Sequence, residues 1–205
     1  EWVEGFPANP LTETRLEVEW ERLLAAIGDS EEAWLRALQR FRRRTSLLIA
    51  HRVVSKKVED TQTLADISAL ADFVIGQLFA RIYQRTVAQF GEPWDEALER
   101  PARFAILGLG KLGGSELNFC SDVDLVYVYD GDGRTVKNGR RTNLSNSEFY
   151  IRVCRDFSSS LAKRLAEGFL YNIDLRLRPE GDSGPLVRSL TAMEHYYYVR
   201  GQTWE

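Results

Sequence analysis

Cysteine is scarce: Cys120 and Cys154 are the only two in 205 residues. They have no metal-ligand spacing and are too few for a disulfide framework, so a reduced, cytoplasmic chain is the simplest expectation. Positive charge is not in excess either. Lys and Arg number 27 against 30 Asp and Glu, a net charge of −3, which does not favour a nucleic-acid polyanion as partner. No uninterrupted apolar run approaches the roughly 18–20 residues that span a bilayer, and no secretory signal is visible. Neither nucleic acid nor membrane is therefore expected as a partner. What is present is an ordinary globular composition, 44% hydrophobic and 28% charged, enough for one large domain or two small ones. The first residue is Glu1 rather than Met, and the last residues read as the start of a helix. The chain is expected to be a fragment of something longer.

Residues 1–98 read as all-helical. Glu1 to Leu11 is an extended lead-in with two prolines and a glycine. Leu16, Trp20, Leu23, Leu24 and Ile27 recur at helical spacing over Glu13 to Ile27, and Gly28 ends that helix. Asp29 or Ser30 caps a second helix, with Glu31 and Glu32 in its first turn and a run to Ile49. Its arginines (Arg40, Arg42, Arg43, Arg44) suit a solvated face, with contact to a phosphate or an acidic partner as the alternative. His51 reads as a core-edge histidine. Thr61 to Phe90 is one long helical stripe that Gly91-Glu92-Pro93 stops.

The pattern changes at Pro101. Arg103–Leu107 and Asp124–Tyr129 read as strands, and Asp130–Asn146 as a loop. Ser147–Ala166 reads as a helix, Phe169–Leu177 as a third strand, Pro179–Gly184 as a turn and Leu186–Leu190 as a fourth strand. Thr191–Glu205 opens a further, tyrosine-rich helix. The resulting fold class is α+β, divided as 1–98 (helical), 99–190 (a small mixed sheet flanked by helices) and 191–205 (a following helical segment).

The chemistry concentrates in GLGKLGGSELNFCSDVDL, from Gly108 to Leu125. Gly108, Gly110 and Gly113 fit a dinucleotide fingerprint, with Asp130 placed as the ribose-binding acid. That fold needs a full crossover helix, and only Ser115 to Ser121 is available before Asp122. A phosphate loop of the Walker type is absent, because Leu112 follows Lys111. A purely structural glycine turn leaves Asp122 and Asp124 unexplained. At positions i and i+2 of a strand they share one face, and like charges that close are costly unless a cation lies between them. A hard, oxygen-preferring ion such as Mg²⁺ suits them.

A metal-dependent nucleotidyltransferase explains more. Gly113, Gly114 and Ser115 would turn tightly at the start of a short helix whose amides, with Ser115, hold phosphate oxygens. A third carboxylate would complete a two-metal site. Asp174, mid-strand in NIDLRLR, is the candidate. Arg176 and Arg178 share its face by the same period of two and would grip further phosphate oxygens. An ion-pair ladder is the structural alternative for that face.

GKLGGSELNFCSDVDL, FLYNIDLRLRPEGDSGPLV and YYYVRGQTWE resemble the signature blocks of the glutamine synthetase adenylyltransferase family. RALQRFRRR and TLADISALADFVI are similar to the helices before its catalytic core. The resemblance covers nearly the whole chain. It implies a DNA polymerase β-like nucleotidyltransferase domain, with one of the family's two homologous halves present. One half transfers AMP from ATP to a tyrosine of glutamine synthetase; the other removes it by phosphorolysis, giving ADP. ELNF before Ser121 and GDSGPLV after RLRP look more like the N-terminal, adenylyl-removing half.

Carried over, the family's metal-binding and catalytic acids fall on Asp122, Asp124 and Asp174. Gly113, Gly114, Ser115, Ser121, Lys111, Arg176 and Arg178 become the nucleotide- or phosphate-binding set. Cys120 stands where small residues are common. The implied cofactor is Mg²⁺ (or Mn²⁺). The implied partners are glutamine synthetase, a PII-type nitrogen signalling protein, ATP or ADP, and phosphate. The adenylylating half and a non-catalytic nucleotide-sensing or regulator-docking module remain alternatives. A small-molecule nucleotidyltransferase suits the long helical lead-in and the RLRPEGDSGPLV block less well.

Overall fold

Leu16 and Trp20, one helical turn apart, set the buried face of α1 (Glu13–Leu24), the first helix of the computed structural model, which describes residues 10–28 and 30–201. Ser30 caps α2 (Glu31–Val54), its Oγ accepting the Ala33 amide at 3.1 Å. Asp29, the other cap candidate, lies outside the described residues, as do 1–9 of the lead-in and 202–205 of the last helix. The third helix, α3, runs from Asp60 to Phe90. By length and composition α3 could cross a membrane, with a stretch of mean hydropathy 1.4, but 56% of that stretch is buried inside the protein. Asp66 within it pairs with Arg52, which suits a core helix.

The chain divides into two compact units, each drawn from separated stretches. The first holds the described residues up to Leu78, together with 110–123 and 160–172. Its core is aromatic: Trp20 meets Trp34 and Phe41 edge-on at 5.5 and 5.6 Å, and Phe41 meets Phe73 at 5.5 Å. Beneath lies a buried polar knot. Asp66 accepts from the Leu11 amide (3.0 Å), Gln62 Nε2 (2.8 Å) and Arg52 Nη1 (2.6 Å). The Arg52 and Asp66 side chains are only 3% and 1% exposed.

The arginine cluster of α2 is used within this unit. Arg40 and Arg43 both donate to Glu167 at 2.8 Å, and the Arg42 guanidinium lies 4.5 Å from the centre of the Tyr171 ring. Arg40 and Arg43 stay about half exposed (53% and 52%), so the face is solvated as the sequence suggests, with Glu167 and the Tyr171 ring as its partners within the unit. His51 is exposed, not at the core edge.

The second unit holds 79–109, 124–159 and 173 onward. One of its two four-stranded sheets pairs β3 (Phe104–Leu109) antiparallel with β4 (Val123–Tyr129), whose other neighbours are β7 (Ile173–Asp174) and the parallel β8 (Val187–Ser189). The other sheet has the order β2-β1-β5-β6, where β1 is Glu92–Asp95, β2 Arg100–Pro101, β5 Arg134–Lys137 and β6 Arg140–Ser145. Two expectations are corrected here. The stretch 1–98 includes the strand Glu92–Asp95 after its helices, and Asp130–Asn146 is mostly a hairpin. Asn138 and Gly139, with φ of 52° and 72°, make the left-handed two-residue turn that asparagine–glycine pairs favour.

Helix α5 covers Asn146–Ala162 and stops four residues short of the expected end, and α6 covers Leu190–Arg200. Phe104, on β3, stacks on Phe79 of α3 (4.8 Å) and on Tyr150 of α5 (4.9 Å), so a ring cluster fills this unit. The chain is α+β, as the sequence predicts.

Asp130, which the dinucleotide reading would place on a ribose, instead anchors two arginines. Arg100 Nη2 and Arg103 Nε donate to it at 2.9 and 2.8 Å, and the Arg103 amide at 2.6 Å. Burial would raise its pKa, but the hydrogen bonds from Arg100 and Arg103 outweigh burial and hold the carboxyl at about 2, below its ordinary 3.8. A depressed carboxyl contributes stability above its unfolded value and loses it as pH falls toward its folded one. Asp130→Asn is therefore expected to cost stability at about pH 5 and to cost progressively less toward about pH 2. Urea midpoints of both proteins across that range check it.

Candidate active site

Strand β3 ends at Leu109, and Gly110 takes a left-handed φ of 54°. That conformation favours glycine and swings the chain directly into α4, the four residues Gly110–Gly113. Leu109 is in register with Asp124, and Gly108 with Leu125, in an antiparallel pair. A dinucleotide fold would require a parallel pair joined by a long crossover helix, so the fingerprint reading fails on topology.

Gly113, Gly114 and Ser115 close α4 and do not open a helix, which corrects the sequence reading. The amides of Gly114, Ser115 and Glu116 donate to the carbonyls of Gly110 (3.0 Å), Leu112 (3.0 Å) and Lys111 (2.7 Å), and Ser115 has a φ of 57°. This is the pattern of a helix end sealed by a left-handed residue. Glycine is a poor helix former and tolerates the backbone conformations of a helix end, so the pair is compatible with the stop that these amide bonds make. In this conformation the three amides serve carbonyls of their own chain. The side chains exposed at the turn are those of Lys111, Ser115 and Glu116.

Lys111 Nζ stands 3.4 Å from Ser121 Oγ, which donates to Asn118 Oδ1 at 2.9 Å. Asn118 Oδ1 also accepts the Cys120 amide at 3.1 Å. Sequence reasoning missed Asn118 as the hub of this turn. The available signal was an asparagine accepting from the amide two residues on, a common turn device. The structure thus brings Lys111 and Ser121 together, within the first unit.

Asp122 is exposed, and Val123 behind it is buried and donates its amide to the Asn172 carbonyl at 3.0 Å. Two residues on, Asp124 is half-buried in β4. In the second unit β7 neighbours β4, so Asp174 lies in the strand beside the one carrying Asp124.

The expected third strand, Phe169–Leu177, is reduced to Ile173 and Asp174. Before it, the amides of Leu170 and Tyr171 both donate to the Leu161 carbonyl; after it, the Arg178 amide donates back to Leu175. The period of two therefore does not reach Arg176 or Arg178, which sit in a turn. Arg176 folds back on Asp174. Its amide donates to Oδ1 (2.8 Å), its Nε to both oxygens (3.0 and 2.9 Å), and its Nη2 to Oδ2. Those side-chain hydrogen bonds first, and the backbone one second, hold the Asp174 carboxyl at about 2.

Arg178 behaves differently. Its side chain is 12% exposed, and its Nη1 donates to the Leu175 carbonyl at 2.6 Å. It shapes the RPEGDSGPLV turn, where Gly184 is required: a Cβ there would lie 2.3 Å from the Pro179 carbonyl oxygen. Glu180, also missed from sequence, takes a left-handed φ of 66° and pairs with Arg188 of β8 and Arg200 of α6.

Among the described residues no three His, Cys, Asp or Glu side chains are gathered closely enough to hold an ion, and both Asp174 oxygens face Arg176. In kind, however, the donors fit a hard divalent cation, being carboxylates with two of them on neighbouring strands. Burial raises the Cys154 thiol well above its ordinary range, which keeps that sulfur out of such chemistry.

A family model described as glutamate-ammonia ligase adenylyltransferase matches residues 1–205. Three similar proteins are each called a bifunctional glutamine synthetase adenylyltransferase/adenylyl-removing enzyme. That of Burkholderia mallei is 38% identical over all of this chain and 22% of its own length. That of Thioalkalivibrio sulfidiphilus is 40% identical over 98% of this chain and 20% of its own. That of Pseudomonas aeruginosa is 38% identical over the same shares. The chain thus spans about a fifth of the length of these relatives, in their N-terminal part.

Proposed function

Because the chain belongs to the glutamate-ammonia ligase adenylyltransferase family, we propose that it regulates glutamine synthetase by nucleotidyl transfer, removing AMP from an adenylylated tyrosine by phosphorolysis. The observation that carries this reading is the pair Asp124 and Asp174 on neighbouring strands, with the exposed Arg176 beside Asp174. The direction is supported by ELNF and GDSGPLV and by the match to the N-terminal part of the relatives.

Asp122, Asp124 and Asp174 would hold Mg²⁺ or Mn²⁺, which when bound supplies charge neutralisation at the reacting phosphate. The remaining work falls to the chain's own cations and donors. Arg176 presents a planar guanidinium that matches phosphate geometry. Lys111 adds a point charge that Ser121 positions through its contact with Nζ, and the Ser115 hydroxyl donates a hydrogen bond. Gly113 and Gly114 shape the turn that carries Ser115. Arg178 holds its own loop. A phosphate oxygen attacks the AMP phosphorus, a new phosphoanhydride bond forms, and the bond to the tyrosine oxygen breaks. ADP and a free tyrosine result, the tyrosine oxygen taking up a proton. In-line transfer of this kind depends on alignment and charge more than on covalent catalysis. A PII-type signalling protein is the proposed regulator, and the cytoplasm the proposed setting.

The test supplies the protein either with adenylylated glutamine synthetase, Mg²⁺ and phosphate, or with unmodified synthetase, Mg²⁺ and ATP. ADP should appear in the first mixture and no modification in the second. AMP transfer only in the second would assign the adenylylating activity. Inactivity in both, with Mg²⁺–nucleotide still bound, would assign a sensing module.

A further inference from the structure

The Arg176–Asp174 contact carries a consequence for the order in which ligands bind. Both oxygens of Asp174 are engaged by donors from one residue, its amide and its guanidinium together. While they are engaged, the carboxylate cannot offer them to a cation. The same contact occupies the Nε–Nη2 edge of Arg176, an edge that would otherwise grip a phosphate in a bidentate way. One guanidinium cannot serve both.

We propose that Arg176 is an exchangeable counter-ion of Asp174: a divalent cation displaces it from the carboxylate, and the displaced guanidinium then takes a phosphoryl anion. The proposal rests on the reading of Asp174 as a metal ligand. Three observations favour exchange over a fixed ion-pair ladder. The Arg176 side chain is 74% exposed whereas that of Asp174 is 18% exposed, so water and salt screen the pair from the arginine side. Arg176 lies in a turn beyond β7, so its side chain can swing without breaking strand pairing. Arg178, the other arginine of the motif, is largely buried and bound to the Leu175 carbonyl. It has no such freedom, so the exchange falls to Arg176 alone of the two.

The test titrates the protein with Mn²⁺ alone and with inorganic phosphate alone, then with phosphate in the presence of Mn²⁺, by calorimetry and by loss of the free Mn²⁺ electron-spin signal. Arg176→Gln should bind Mn²⁺ about two- to fivefold more tightly than wild type, the range an exposed ion pair allows, and should lose the phosphate response. Arg176→Lys keeps a competing cation and should stay near wild type for Mn²⁺. Wild-type phosphate binding should be weak without Mn²⁺ and strengthen with it.

Unchanged or weaker Mn²⁺ binding by Arg176→Gln overturns the exchange, as does phosphate binding that ignores Mn²⁺. Asp174→Asn separates the two ideas. If it binds Mn²⁺ as wild type does, the metal assignment itself is wrong. If it binds more weakly while Arg176→Gln is unchanged, the assignment stands and only the exchange is lost.

Discussion

Replacing Asp122 and Asp124 together by alanine should abolish turnover, by roughly a thousandfold or more. The magnitude follows from what their bound cation contributes at a transferring phosphoryl group, several kcal/mol, at about 1.4 kcal/mol per tenfold in rate. The fold should survive. Asp122 is exposed and outside β4, while the apolar residues around it, Leu117, Val123 and Leu125, are the buried ones. Asp124 is half-buried in β4, where alanine keeps the backbone register with Leu109. The check is a paired measurement: turnover falls to background while the far-ultraviolet dichroism and the urea midpoint stay near wild type. Full activity in the double variant would sink the site assignment. Loss of activity together with loss of the midpoint would mean that the acids hold structure instead.

The second large effect lies in the first unit, in the buried pair of Arg52 and Asp66. Asp66→Ala should destabilise that unit by about 3–5 kcal/mol, the cost of leaving a buried charge without its partner. The substitution also removes the acceptor for the Leu11 amide and for Gln62, so the segment leading into α1 loses its anchor. Asp66→Asn keeps an acceptor oxygen and should cost less. Urea unfolding followed by tryptophan fluorescence reads both, since Trp20 and Trp34 lie in that core. A loss below about 1 kcal/mol for the alanine variant would contradict the account, because it would put the pair in the range of exposed ion pairs.

The helices were the most legible part of the sequence, because each announces itself over many residues. The stripe of Leu64, Ile67, Ala71, Val74, Ile75 and Leu78 leaves little choice but a buried helix, and Gly91 marks its end. Short elements were less legible, because a few hydrogen bonds elsewhere decide them. The run from Phe169 to Leu177 has strand composition throughout. Yet the amides of Leu170 and Tyr171 are claimed by the Leu161 carbonyl, and only Ile173 and Asp174 are left to pair.

The hairpin at Lys137–Arg140 was signalled by Asn138–Gly139, but its polar flanks hid the strands. They form a sheet through tertiary pairing with Glu92–Asp95, not through an apolar pattern. Around the candidate site, the positions of Asp124 and Asp174 on two strands could be read from sequence, whereas Asp122 lies just before β4, so the shared strand face expected of Asp122 and Asp124 is not formed. The direction of the glycine turn could not. Gly113 and Gly114 fit a helix start or a helix end equally well until the amide acceptors are known. Nor could sequence show that Arg176 turns back onto Asp174, since that depends on where the strand stops.

The most direct measurement is a crystal structure of the protein with Mn²⁺ and a non-hydrolysable nucleotide, with the ion located by its anomalous scattering. The account predicts Mn²⁺ bound by the carboxylates of Asp122, Asp124 and Asp174, with Arg176 moved off Asp174 and onto a phosphoryl oxygen. Mn²⁺ bound elsewhere, with Arg176 still on Asp174 and the nucleotide phosphates away from all three acids, would contradict it.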